Sequence, residues 1–201
     1  MRNSVTTFKS LKVCLKELKP FICDGQHLET GKPFKRFGGL RSREILANWL
    51  LCVVASFEQN PEEFKICTDP QGGDGIIYNQ TTKQAWPTEH ILISQKDNKL
   101  EQTQSLILKQ IEKKQNKGGA AYASGKTLIV FLNKQSGEWY PNRVGRSLPD
   151  VDFESVWVVG LQNVIDGQYN YNVTRLDPNG CPIWRIHINK NFESWEIEKI
   201  Q

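Results

Sequence analysis

The chain has no Cys-x-x-Cys pair. Its five cysteines, Cys14, Cys23, Cys52, Cys67 and Cys181, are odd in number and scattered, which argues against both a disulfide framework and a structural zinc site. It has no apolar run near the roughly 18 to 20 residues that cross a bilayer. Its first residues lack the basic start, apolar core and small-residue cleavage site of a signal peptide, so a cytoplasmic protein is expected. No repeat or low-complexity tract is present. Charge of one sign is lacking too, with 26 Lys and Arg against 22 Asp and Glu. What is there is a chain of 201 residues, 38% hydrophobic, enough for one sizeable globular domain with appendages.

The net charge of +4 conceals an asymmetry, because residues 1–43 carry ten Lys or Arg against three acids. Lys35, Arg36 and Arg41 belong to this zone. A second basic concentration holds Lys109, Lys113, Lys114, Lys117 and Lys126. Two such zones suit a polyanion, since phosphate contacts dominate nucleic-acid affinity. Charge alone is equally what solvated helix faces carry.

The spacing of Leu11, Cys14, Leu15 and Leu18 predicts a short amphipathic helix ending at Pro20 and serving as a lid or arm, followed by an irregular connection over 21–40. Ser42 reads as the N-cap of a buried helix marked by Ile45, Leu46, Trp49, Leu50, Val53, Val54 and Phe57. Three strands follow, at 64–68, 75–79 and 85–94. Asn98 and Glu101 resemble a capping box opening a helix with Leu100, Thr103, Ile107 and Ile111 on its buried stripe, ended by Gly118 and Gly119. Continuous apolar strands are predicted at 127–133 and 155–161. Alternating segments at 169–174, 183–188 and 195–197 either extend the sheet or form a small separate one. This divides the chain into a basic arm and loop (1–41), an α/β core with a mixed central sheet flanked by helices (42–161), and a β-rich C-terminal extension of the same domain (162–201).

The chemistry concentrates in Asp69-Pro-Gln-Gly-Gly-Asp74-Gly-Ile-Ile-Tyr and, fifteen residues after Asp74, Thr88-Glu89-His90. Folding the two strands about the polar loop at 80–83 sets residues whose numbers sum to 163 opposite each other, so Asp74 faces Glu89. Facing carboxylates repel unless a cation, a proton or a basic side chain lies between them. Magnesium takes oxygen ligands of this type. The structural alternative is that Asp74 caps a glycine-rich turn, Glu89 pairs with a surface lysine, and Glu44 favours its helix N-terminus.

The element order and these acids resemble the PD-(D/E)xK nuclease superfamily, the restriction endonuclease-like fold, over 42–133. The resemblance implies Mg2+ or Mn2+ held by Asp74 and Glu89, Glu44 as an auxiliary acid from the first helix, and hydrolysis of phosphodiester bonds in DNA. The family's lysine two residues after the second acid is replaced by Ile91. The resemblance allows Lys109 to reach back from the following helix instead, with Gln95 and Gln104 as weaker substitutes. His90 points away from Glu89 on a regular strand and is a candidate proton carrier. A catalytically inactive nucleic-acid-binding module of the same fold, or a protein-interaction domain, remains the alternative.

Residues 120–127, ending Gly-Lys-Thr, imitate a phosphate loop. They follow a helix and open a strand, the reverse of the order that motif needs, which leaves Lys126 as a candidate phosphate contact. The segment 135–149, carrying Trp139, Tyr140, Arg143 and Arg146, is a candidate nucleic-acid-reading loop. Cleavage of both strands of a duplex would need a homodimer or a partner protein.

Overall fold

The computed structural model describes residues 9–25, 28–29, 33–57, 59–93, 102–133 and 138–201. The proposed capping box at Asn98 and Glu101, Leu100, Gln95 and the start of the 135–149 segment lie outside them. Strand β1 (Lys9–Ser10) leads into α1 (Leu11–Asp24), and α2 (Ser42–Ala55) is followed by β2 (Phe64–Cys67), β3 (Ile76–Asn79) and β4 (Ala85–Ile93). Then come α3 (Thr103–Ala123), β5 (Thr127–Leu132), the short α4 (Pro141–Arg146), β6 (Ser155–Ile165), β7 (Gln168–Arg175), β8 (Ile183–Ile188) and β9 (Trp195–Lys199).

The fold is mixed α/β, and the nine strands among the described residues lie in chain order across one sheet. The pairs β4/β5 and β5/β6 are parallel, and every other neighbouring pair is antiparallel. Both parallel pairings follow crossovers that carry a helix, α3 or α4, as parallel neighbours require. One buried cluster joins α1 and α2 to the sheet through Ile129, Phe131, Val159, Tyr171 and Ile186. A second joins α3 and α4 to it through Ile91, Val130, Leu132 and Val158. The sheet is thus sandwiched between helices, and β5 is buried along its whole length, as its unbroken apolar run requires. Strands β7 to β9 extend the sheet. No described helix is long and apolar enough to cross a membrane.

Three local expectations are corrected. Helix α1 does not stop at Pro20, nor does it stand off as an arm. Its stripe of Leu11, Cys14, Leu15, Leu18 and Ile22 is buried on both sides of the proline, and that burial outweighs the roughly 3 kcal/mol that an interior proline costs a helix. The N-cap of α2 is Arg41, because the Arg41 backbone N–H donates to Glu44 Oε2 at 2.8 Å, leaving Ser42 as the first helical residue. Helix α3 runs on to Ala123, with a kink at Gly119, whose φ of 60° and ψ of −165° interrupt the helix in a region that favours glycine.

The fully buried Trp49 ties α1 to α2 by donating from Nε1 to the Leu11 carbonyl at 2.9 Å. Trp49→Phe keeps most of the apolar bulk but leaves that carbonyl without its donor. Urea denaturation should show a loss of about 1 to 3 kcal/mol, whereas a dispensable arm would show none.

Candidate active site

The β3–β4 hairpin has the register Ile76↔Pro87, Ile77↔Trp86 and Tyr78↔Ala85, and each pair of numbers sums to 163. The strand pairing ends at Ile76 and Pro87; carried two residues further, the same register would set Asp74 opposite Glu89, whose charge Asp74 feels. Thr88 closes the junction, donating its backbone N–H to the Gly75 carbonyl at 2.9 Å and its hydroxyl at 3.1 Å. Gly75 is required here. Its φ is 124°, and a Cβ on it would lie 2.3 Å from Asn48 Nδ2, the amide that donates to the Asp74 carbonyl at 3.0 Å. A fully buried asparagine from the middle of α2 therefore anchors the turn that carries Asp74.

Asp74 Oδ2 accepts the His90 backbone N–H at 2.8 Å, while Oδ1 meets no donor among the described residues. Burial raises the Asp74 pKa, the His90 bond partly offsets this, and the charge of Glu89 adds to the rise. Glu44, from the first turn of α2, is raised too, by burial first and then, against its bond from Arg41, by Asp74. Both acids are thus held in surroundings that disfavour their charge, and a cation between them would relieve this. Glu44 has the structural role of capping α2, with Arg41 Nε and Arg43 Nη2 at 3.7 and 3.9 Å from its Oε1.

Glu89 lies in different surroundings. It is buried, and its carboxylate is gripped by three donors from the α3 side of the sheet. Lys126 Nζ is 2.9 Å from Oε1, Lys114 Nζ is 3.0 Å from Oε2, and the Tyr122 hydroxyl donates to Oε2. The Lys126 ammonium also sits 4.1 Å from the centre of the Tyr122 ring. Burial pushes the Glu89 pKa up, but Tyr122, Lys126 and Lys114 outweigh it and hold the group below the usual glutamate range. Lys114 in turn is held above its usual value despite burial, by Tyr122 and Glu89. The trio Glu89, Lys114 and Lys126 carries one net positive charge.

His90 points away from Glu89, as strand alternation requires. Because Asn48 Nδ2 is committed to the Asp74 carbonyl, its Oδ1 is an acceptor. It lies 3.3 Å from His90 Nε2, which assigns the proton to Nε2. Among the described residues the buried Nδ1 has no hydrogen-bond partner. Burial, reinforced by Arg43, lowers the His90 pKa to about 3, so the ring is neutral at pH 7 and can take up a proton only at Nδ1.

Of the other sequence candidates, Lys109 is exposed on α3, five residues before Lys114 and so roughly 140° around the helix from it. Lys114 occupies the position expected of Lys109. Lys35 and Arg36 lie exposed on a short 3-10 turn, Lys35–Phe37, and Arg41 at the N-terminus of α2. Arg143 and Arg146 belong to α4, which follows the C-terminal end of β5. Lys126 precedes the N-terminal end of β5, roughly 20 Å away along the strand.

The sequence places Lys114 only in a basic zone and does not single out Tyr122 or Asn48. Lys114 continues the stripe of Thr103, Ile107 and Ile111 by one more turn, and a lysine on that stripe is the signal. Asn48 is a polar residue inside an apolar helical run. Tyr122 gives no such signal, because only the kink at Gly119 turns it toward Glu89.

No family model, curated protein or solved structure matches this chain. Among the described residues no group of three or more His, Cys, Asp and Glu side chains is placed to hold a metal ion. Magnesium keeps several waters and binds through one or two carboxylates. Asp74 meets that need through Oδ1, and Glu89, whose Oε1 accepts from Lys126 alone, keeps one lone pair there for a metal.

Ile91, where the superfamily lysine would stand, is 8% exposed in the cluster with Leu106, Ile107 and Ile111. The following helix has taken that space. Ile91→Lys should therefore lower stability by about 2 to 4 kcal/mol in denaturant titration, with no gain of activity.

Proposed function

We propose that this chain is a metal-dependent, endonuclease-like protein that hydrolyses phosphodiester bonds in DNA, with a restriction endonuclease-like core over 42–161. The observation that carries the proposal is the Lys114 ammonium at 3.0 Å from Glu89. It supplies from α3 the positive group that Ile91 cannot supply from β4. The element order supports the same assignment: helix α2, three antiparallel strands β2 to β4, helix α3, then β5 parallel to β4. Asp74 sits at the head of the second of these strands and Glu89 within the third.

In this scheme Asp74 Oδ1 and Glu89 are the oxygen ligands. Bound Mg2+ or Mn2+ would lower the pKa of a water and neutralise charge developing on the phosphate. Lys114 and Lys126 place two ammonium groups where an incoming phosphate reduces their mutual repulsion, Tyr122 holds Glu89 in place, and the His90 N–H fixes Asp74. Lys114→Met removes one ammonium and leaves Glu89 bonded to Lys126 and Tyr122. It should slow Mg2+- or Mn2+-dependent nicking of supercoiled DNA by about 100-fold with little change in melting temperature. An unchanged rate would remove Lys114 from the mechanism.

A second reading, a nucleic-acid-binding module without hydrolysis, is favoured by the occupation of both Glu89 oxygens. It predicts salt-sensitive DNA binding that survives Asp74→Ala, with no cleavage under any divalent metal.

A further inference from the structure

A cleft of about 630 Å3 opens between α4 and the face of β6 and β7, beyond the C-terminal end of β5. It lies on the same sheet face as Glu89 but four residues along and two strands across, on the order of 15 Å away. Glu138, Trp139 and Tyr140 form one wall; Trp139 is packed in part against the second core cluster, and Tyr140 is 52% exposed with the Arg143 guanidinium 4.6 Å from its ring centre. Gly160 keeps the floor low: it pairs with Leu132, and a Cβ there would come within 3.2 Å of the Leu132 Cβ.

The opposite wall is polar, and its hydrogen bonds have a fixed direction. Arg185 can only donate, and its Nε lies 3.2 Å from Asn172 Oδ1, so that oxygen is the acceptor. Asn172 Nδ2 then donates to Gln162 Oε1 at 3.1 Å. The Gln162 amide is thereby oriented, with Nε2 and one Oε1 lone pair unpartnered among the described residues at the mouth of the cleft. Paired with flat aromatic rings, an oriented amide of this kind complements the donor and acceptor edge of a nucleobase.

We propose that this cleft binds an unpaired nucleobase of a single-stranded nucleic acid, stacking it on Tyr140 and Trp139 and reading its edge with Gln162. The inference rests on the reading of the chain as a nucleic-acid enzyme and adds to it a base-contacting subsite remote from the acids. It gives the aromatic segment a role that the acidic pair does not require, and the exposed Arg143 and Arg146 of the adjoining α4 are its candidate phosphate contacts.

The test is fluorescence anisotropy in EDTA, which prevents metal-dependent hydrolysis, with a short labelled oligodeoxynucleotide and a strand of equal length and charge made of abasic sites. The intact strand should bind about 5- to 100-fold more tightly than the abasic one. Tyr140→Ala and Gln162→Leu, both at exposed positions, should each erase most of that preference. Equal binding of the two strands, or a preference untouched by both variants, overturns the proposal. DNA cleavage with equal binding would refute the base subsite alone. A base preference without cleavage under any metal would refute hydrolysis alone.

Discussion

Asp74→Asn is expected to reduce metal-dependent DNA cleavage by about a thousandfold or more while leaving the fold as stable as the parent or more so. The asparagine oxygen can still accept the His90 N–H that Asp74 Oδ2 accepts at 2.8 Å, and the turn is still anchored from its own carbonyl by Asn48. What disappears is a carboxylate whose ionised form is disfavoured by burial and by the neighbouring Glu89. Loss of function with unchanged or higher stability marks a group kept for chemistry rather than for folding. If Asp74 were only a turn device, activity would persist. Cleavage kinetics and urea midpoints, measured on the same preparations, separate the two outcomes.

The second large effect is on acid stability and belongs to His90. Its folded pKa is depressed from 6.5 to about 3, so the folded chain refuses a proton that the unfolded chain accepts. The stabilisation is therefore complete above pH 6.5 and is lost as pH falls from there toward 3. The slope approaches about 1.4 kcal/mol per pH unit, and the total about 4 to 5 kcal/mol at most. Protonation would put a charge on the half-buried ring at its buried Nδ1, beside Arg43. His90→Gln removes this titration, so the stability difference between parent and variant, measured in metal-free buffer, should change with that slope between pH 6.5 and the acid limit of folding. A pH-independent difference would show that the imidazole titrates normally in the folded chain.

The hairpin register was legible because a polar loop of defined centre joins two short apolar runs, and once the centre is fixed the facing pairs follow. The buried helix α2 and the strand β5 were legible for a similar reason, since their apolar runs leave no solvated face. What escaped the sequence was decided by tertiary packing. Pro20 reads as a stop only until the apolar stripe beyond it is seen to be covered. Gly118 and Gly119 read as a helix end, yet the chain resumes one more helical turn after Gly119, and that turn delivers Tyr122 to Glu89. Lys109 and Lys114 carry the same local signal, and only packing tells them apart: Lys109 lies on the exposed side of the helix whose buried stripe reaches Lys114. The amide ladder of Gln162, Asn172 and Arg185 joins residues from three strands and has no local signature. The β7 to β9 segments alternate equally well for an added sheet or an extended one, and only pairing with β6 decides between them.

The central claim is that Asp74, Glu89 and Lys114 form one hydrolytic site. The most direct test is incubation of the purified chain with end-labelled DNA in Mg2+, in Mn2+ and in EDTA, alongside Asp74→Asn and Lys114→Met. Cleavage by the parent in either metal, absent in EDTA, abolished by the first variant and strongly slowed by the second, is the predicted result. Salt-sensitive DNA binding by all three proteins, with no cleavage in any metal, would contradict it.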